Sequence, residues 1–142
     1  MHPVIEQIKT LYGDACRLCP PLDAAQHDAA RAFLPAALFE MLKVCNGIEE
    51  LMSLPNVDDG KPFPMGYIID DFDGICSGTK EFHELFGTEG LAFAGNGAGG
   101  FFVMGPNGKI FLYECAGEDG ICYADDIMEY ISKSAEYISE MQ

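Results

Sequence analysis

Three glycines, Gly95-x-Gly97-x-x-Gly100, form the pattern in this chain that is closest to a nucleotide-binding loop. Such a loop must open into a helix, because the N–H groups at the helix N-terminus hold the phosphates. Here the glycines lead into the apolar run Phe101–Met104, then a Pro-Asn-Gly turn signal and a second run, Lys109–Tyr113. Aromatic and β-branched runs on both sides of Asn-Gly favour a hairpin. We therefore predict strand, glycine corner, strand, tight turn and strand.

Two cysteines, Cys16 and Cys19, form a C-x-x-C pair that could serve redox chemistry or bind zinc. A redox pair is expected where a strand turns into a helix, because the helix N-terminus lowers a thiol pKa. This pair instead follows the first predicted helix, and only His27 lies near it as a further zinc ligand. We predict packing or surface thiols that hold no metal. The other cysteines lie in or beside apolar sequence and are expected to be small buried groups: Cys45, Cys76, Cys115 and Cys122.

The acidic run Asp70-Asp71-Phe72-Asp73 resembles a cluster of metal-binding carboxylates. A calcium loop, however, needs alternating oxygen ligands, a turn glycine and a distant bidentate Glu, which this spacing does not supply. The run favours a strand end followed by a helix cap. His27 and His83 lie on predicted helices without an accompanying nucleophile or oxyanion hole. We therefore expect no catalytic site, no enzymatic activity and no cofactor.

Helices, then mostly antiparallel strands, then a closing helix predict an α+β fold. Helices are expected at Pro3–Tyr12, from an Asp23 cap through Phe33, from Leu34-Pro35 to a stop at Asn46-Gly47, at Thr79–Phe86, and after Asp125 or Asp126, where Ile127, Tyr130, Ile131 and Ile138 form a buried stripe. Strands are expected at Ile48–Leu54, at Tyr67–Ile69 and within Leu91–Tyr113, with a loop at Pro55–Pro64. The strand Phe101–Met104 is apolar on both faces and should be central.

The length of 142 residues fits one domain, predicted to span residues 1–142. No apolar run approaches membrane-spanning length. The N-terminus carries Glu6 and Lys9 where a signal peptide would need an apolar core, so a cytoplasmic protein is expected.

The charge of this chain is strongly acidic, with 23 acidic and 8 basic residues and a net charge of −15. Residues 1–45 hold five acids and four bases, whereas residues 46–90 hold ten acids and two bases. Nucleic acid and anionic membrane are therefore not expected as partners, because both need a basic footprint. An acidic surface either keeps the protein soluble or steers a basic protein partner toward it.

Three segments in this order resemble the SUKH superfamily, the Smi-one/Knr-four type. They are LPAALFEMLKVCNGIEEL (Leu34–Leu51), LAFAGNGAGGFFVMGPNGKIFLYE (Leu91–Glu114) and YADDIMEYI (Tyr123–Ile131). Members share a Leu-Pro helix ending in Asn-Gly, a glycine-rich corner before aromatic strands, and a capped final helix. Many members have a Trp in the core and a polar or acidic residue near the glycine corner, whereas this chain has no Trp and Gly99-Gly100 leads directly into Phe101.

The resemblance implies one SUKH-like α+β domain and, for bacterial members, an immunity protein that binds and neutralises a cognate toxin, often a nuclease. Regulatory or scaffold interaction, or binding of a small ligand at the Gly95–Gly100 corner, remains the alternative. An acidic surface would suit a basic toxin domain. The predicted partner-binding residues lie between the last predicted strand and the closing helix: Glu114, Glu118, Asp119, Asp125 and Asp126. The sequence leaves the oligomeric state open.

Overall fold

A computed structural model of the chain describes residues 3–52, 58–60, 63–95, 99–114 and 119–141. Over these residues it contains five helices and seven strands, and the strands form two antiparallel sheets. The predicted α+β class is therefore confirmed.

The elements alternate along the chain rather than forming one helical and one strand half. The helices are α1 (Pro3–Tyr12), α2 (Ala24–Phe33), α3 (Ala36–Val44), α4 (Phe72–Phe86) and α5 (Ile127–Met141). The strands are β1 (Cys16–Leu18), β2 (Ile48–Met52), β3 (Phe63–Ile69), β4 (Leu91–Gly95), β5 (Phe101–Met104), β6 (Ile110–Tyr113) and β7 (Ile121–Ala124).

The chain divides into two compact units, Met1–Phe72 and Asp73–Gln142. The first unit contains α1, α2, α3 and the sheet β1-β2-β3, and the second contains α5, nearly all of α4 and the sheet β4-β5-β6-β7. The single SUKH-like domain over residues 1–142 stays a prediction.

The helices of the first unit begin and end at the signals that the sequence carries. The Asp23 side chain accepts a hydrogen bond from the Gln26 N–H at 2.8 Å, so it caps α2 as predicted. The helix ends at Phe33, also as predicted. Apolar side chains at helical spacing on α1 and α3 are buried and form much of the core of this unit: Ile5, Ile8, Tyr12, Leu38, Phe39, Met41 and Leu42.

The sheet of the first unit has β2 at its centre, paired antiparallel with β1 and β3. Arg17 of β1 lies opposite Glu49 of β2, and its Nε donates to the Glu49 carboxylate at 2.6 Å. This sheet differs from the prediction in two places. β1 forms where no strand was expected, and β3 begins at Phe63, inside the predicted loop.

The sheet of the second unit is antiparallel throughout, in the order β4-β5-β6-β7. The predicted hairpin is confirmed, since Phe101 pairs with Tyr113 and the pairing continues to Met104. Its turn is closed by a hydrogen bond from the Gly108 N–H to the Gly105 carbonyl at 3.1 Å, and Gly108 has a φ of 83°. β5 is central, as its apolar character predicted.

The glycine corner connects two strands and opens into no helix. Gly95 is the last residue of β4 and Phe101 is the first residue of β5. Residues 96–98 lie outside the described residues. The preference for a sheet over a phosphate-binding loop is therefore confirmed by the elements on both sides.

Aromatic side chains cover both faces of this sheet. On one face, the Phe82 ring of α4 lies 4.8 Å from the Tyr113 ring and 5.8 Å from the Phe101 ring, measured between centroids. On the other face, the Tyr130 ring of α5 lies 5.0 Å from the Phe102 ring. Because adjacent strand residues point to opposite faces, the Phe101-Phe102 pair joins both helices to one strand.

The two helices of the second unit match the prediction unequally. α5 buries Tyr130 and Ile131 as predicted, whereas Ile127 of the predicted stripe is only partly buried, and the side chain of Ile138 lies outside the described part of the chain. α4 begins at Phe72, seven residues before the expected start at Thr79.

Candidate functional site

The predicted partner-binding carboxylates lie around β7 in the second unit. Glu114 directly follows β6 and Asp119 lies shortly before β7, and both side chains are exposed. Asp125 and Asp126 directly follow β7 and are exposed as well. The remaining predicted residue, Glu118, lies outside the described residues.

β7 separates these carboxylates into two groups, which corrects the expectation that they form one cluster. Because β6 and β7 are antiparallel, Glu114 and Asp119 lie at one end of the strand pair. Asp125 lies at the other end, after Ala124 pairs with Ile110. The strand rise places Asp119 and Asp125 roughly 15–20 Å apart. The physical reason is that the segment expected to be a loop forms a strand on β6.

Asp126 is exposed, and its side chain also forms a hydrogen bond that stabilises α5. Its Oδ1 accepts a hydrogen bond from the Glu129 N–H at 2.8 Å, which satisfies a donor in the first turn of α5. The Glu129 side chain in turn accepts from the Asp125 N–H at 3.3 Å. Asp126 is thus the residue whose side chain caps α5, while Asp125 takes part through its backbone N–H.

β7 is an edge strand of its sheet, and no other described strand pairs with its outer side. The Ile121 side chain is 66% exposed, more than any other large hydrophobic group of the described residues. Cys122 is also exposed, which corrects its predicted burial. Toward the other end, Lys133 Nζ donates to the Tyr123 carbonyl at 2.6 Å, and the pairing with β6 is irregular at that point.

A second group of polar residues, in the first unit, was not predicted as a site. Asp70 follows β3, and burial together with the charge of Asp71 raises the pKa of its carboxyl group to about 7. Burial also raises the pKa of Tyr67, and the charges of Asp71 and Glu49 add to this effect. A carboxyl group that titrates near neutrality is common at functional sites, although structural clusters also produce it.

The Asn46-Gly47 turn fixes the chain beside this group. Asn46 Oδ1 accepts a hydrogen bond from the Phe72 N–H at 2.7 Å, at the start of α4. The Asn46 N–H donates to the Pro20 carbonyl at 2.8 Å. Gly47 has a φ of 107°, and a Cβ atom there would lie 3.0 Å from the Asp71 nitrogen. The turn that was predicted only to stop α3 therefore also positions the Asp70-Asp71 connection.

Two thiols of the first unit, Cys19 and Cys45, have raised pKa values, which favours their protonated form. Burial raises the pKa of Cys45 to about 12, and the nearby Cys19 and Cys16 thiols add to the shift. Burial also raises the pKa of Cys19, and the charges of Glu49 and Asp71 raise it further. Because the thiolate is the nucleophile and the metal ligand, this environment disfavours redox or nucleophilic chemistry. The predicted burial of Cys45 is confirmed.

The remaining candidates for chemistry have local explanations. The His27 ring packs edge-on against Phe39 at 5.1 Å between centroids, and His83 Nε2 lies 2.9 Å from the Gly90 carbonyl oxygen. Cys115 lies outside the described residues. Within the described ranges, no group of three or more His, Cys, Asp or Glu side chains is placed to hold a metal ion.

None of the helices, over the residues that the structure describes, is long and apolar enough to cross a membrane. Comparison with protein-family models, curated proteins and solved structures finds no match to this chain.

Proposed function

We infer that this chain is a non-enzymatic protein-binding module, an immunity protein that binds and neutralises a basic toxin domain through an acidic surface. The observation that carries this inference is the net charge of −15, together with exposed carboxylates at both ends of β7. The resemblance to the SUKH superfamily supplies the expectation that the partner is a toxin, such as a nuclease.

The physical basis is electrostatic complementarity. A nuclease domain carries a basic surface that holds phosphates, so an acidic protein can occupy that surface and exclude the nucleic acid. Association steered in this way can reach roughly 10⁸–10⁹ per molar per second at low salt. Salt should slow it, because exposed charges are screened beyond about 8–10 Å in physiological buffer.

Binding without turnover is supported by the state of the reactive groups. Cys19 and Cys45 have raised thiol pKa values, and a protonated thiol is a weak nucleophile. His83 lies at hydrogen-bond distance from a backbone carbonyl, and Asp126 caps α5. These four side chains thus have structural surroundings that account for them.

The test is protection of cells that express the protein product of the neighbouring gene, which we expect to be the toxin. We define the β7 variant as Glu114→Gln, Asp119→Asn and Asp125→Asn. The matched control variant, Glu81→Gln, Glu84→Gln and Glu89→Gln, removes the same charge from other exposed positions of the second unit. Wild type and control should restore growth at low expression levels, and the β7 variant should need a higher level.

Two outcomes would contradict this function. Equal protection by both variants would mean that the carboxylates around β7 do not form the binding surface. Absence of binding and protection by the wild type would remove the immunity function itself. A regulatory or scaffold role, or a small-ligand site at the Gly95–Gly100 corner, would then be tested by thermal shift with nucleotides and by capture of cellular partners.

A further inference from the structure

The outer edge of β7 offers main-chain groups as well as charge. An edge strand presents N–H and C=O groups at every second residue, and another extended chain can pair with them. β7 is such an edge, and its first two residues, Ile121 and Cys122, are exposed. Ile121 adds an apolar side chain that a paired strand could cover.

The charges around this edge indicate which kind of peptide segment could pair with β7. Asp119 lies before β7 and Asp125 lies after it, and both are exposed. Glu114 adds a third carboxylate at the Asp119 end. A strand laid along β7 would therefore have a carboxylate near each of its own ends, which suits a segment with Lys or Arg on both sides of a short apolar run.

A second copy of this chain does not fit the same edge. Two β7 strands paired antiparallel along their full length would bring Asp119 of one copy toward Asp125 of the other, at both ends of the pair. Like charges placed opposite each other destabilise a strand pair. The net charge of −15 on each copy adds to that repulsion.

The other end of β7 limits where pairing can occur. The Lys133 side chain already donates a hydrogen bond to the Tyr123 carbonyl, and the pairing with β6 is irregular there. A lysine and a bulge are devices that keep edge strands from pairing with unrelated chains. New main-chain hydrogen bonds are therefore confined to the Ile121-Cys122 end of β7, and Asp125 would be reached by a side chain of the added segment.

We propose that β7 receives an extended basic segment of the partner protein as an added antiparallel strand. This inference rests on the proposed function, because it specifies how the acidic surface around β7 would hold its partner. It differs from general electrostatic docking in one respect: the backbone amides of the partner segment take part in recognition.

The experiment uses the whole chain and synthetic peptides at low ionic strength. The probe is acetyl-Lys-Arg-Val-Thr-Val-Arg-Lys-amide, and its charge control replaces each Lys and Arg by Glu. Two further versions of the basic peptide carry N-methyl groups at alternate backbone nitrogens, one version for each set. Binding is measured by calorimetry, and amide hydrogen exchange is followed at Ile121 and Cys122.

The basic peptide should bind and slow exchange in β7, and the acidic control should not bind. Only one set of strand amides faces β7, so N-methylation of that set should weaken binding by about tenfold or more, whereas methylation of the other set should have little effect. The β7 variant should bind the unmodified peptide less tightly than the matched control variant does.

The contradicting results separate this inference from the proposed function. Equal binding by both N-methylated peptides would mean that charge attraction holds the peptide without strand pairing. A toxin that binds while the basic peptide does not would likewise mean that no basic segment pairs with β7. In those cases this inference is wrong and the proposed function stands. Protection of β7 amides in a self-associated form of the chain would assign the edge to a second copy. Failure of both peptide and toxin to bind would overturn both proposals.

Discussion

Aspartate occurs in two contrasting environments in this chain. In the first unit, Asp70 is largely buried beside Asp71, and its carboxyl pKa is raised to about 7. In the second unit, Asp119 and Asp125 are exposed at the two ends of β7. A buried carboxylate changes folding stability because its charge is poorly solvated, whereas exposed carboxylates act mainly on other molecules. The same residue type therefore changes folding stability in one region and, under the proposed function, takes part in recognition in the other.

The backbone explains this contrast. The connection between β3 and α4 has only two residues, Asp70 and Asp71, and it lies against Gly47. The connection between β7 and α5 also has only two residues, Asp125 and Asp126, but both are exposed to solvent. The packing against the Asn46-Gly47 turn, rather than the length of the connection, therefore distinguishes the environment of Asp70.

The largest loss of folding stability is expected from Gly47→Ala, because it disturbs the packing of Gly47 against Asp71 in the first unit. The methyl group would lie 3.0 Å from the Asp71 nitrogen, and the residue would have to keep a φ of 107°. We expect a loss of about 3 kcal/mol in the free energy of unfolding, measured by urea denaturation. Gly13→Ala is the control, because its φ is also positive but nothing lies within 4 Å, and it should cost about 1 kcal/mol. Equal losses would mean that the contact with Asp71 is unimportant.

The next effect is the pH dependence of Asp70→Asn. The folded pKa of about 7 exceeds the ordinary value of 3.8, so the folded state binds the proton more tightly. The stability that this gives is fully present below pH 3.8 and is lost as the pH rises through 7. The variant should therefore match the wild type near pH 4 and exceed it at pH 8 by on the order of 2 kcal/mol.

Unfolding midpoints in urea at both pH values measure this difference. Asp119→Asn, at an exposed position, should differ from the wild type by less than about 0.5 kcal/mol at either pH. An Asp70→Asn effect that is the same at pH 4 and pH 8 would contradict burial of a titrating carboxyl group.

A smaller effect separates the two aspartates that follow β7. Asp126→Ala removes the acceptor of the Glu129 N–H and should lower the stability by about 1 kcal/mol. Asp126→Asn should retain most of it, because Asn is also a good cap. Asp125→Ala should change stability by only a few tenths of a kcal/mol. Thermal unfolding of the three variants tests this order, and a larger loss for Asp125→Ala would reverse the two roles.

The smallest effect on stability is expected for the β7 variant. Its three exposed substitutions should change the free energy of unfolding by less than about 0.5 kcal/mol in total, as should those of the matched control variant. Urea denaturation of both variants checks this, and a loss above 2 kcal/mol would mean that the carboxylates around β7 hold the fold.

The sequence predicted those elements whose signals are local. The Asp23 cap and the Pro-Asn-Gly turn each act within a few residues, so α2 and the β5-β6 hairpin were found with their positions. α4 was predicted too short because Gly74 and Gly78 have low helix propensity, which tertiary packing overrides.

The missed elements depend on partners far away in sequence. β1 is only three residues long and pairs with residues thirty or more positions later, as Arg17 does with Glu49. β7 is four residues long and follows a glycine, which left it without a readable alternation. The predicted carboxylates were therefore found as individual exposed residues, but their division by β7 was not. The environment of Asp70 depends on the Asn46-Gly47 turn, which no local pattern connects to it.

The most direct test of the proposed binding surface is the rate of association with the protein product of the neighbouring gene, measured by stopped flow at low and physiological salt. We expect the β7 variant to associate about tenfold more slowly than the wild type at low salt and to lose much of the salt dependence. The matched control variant, with the same net charge, should stay within about twofold of the wild type. Equal rates and equal salt dependence for the two variants would contradict a binding surface at β7.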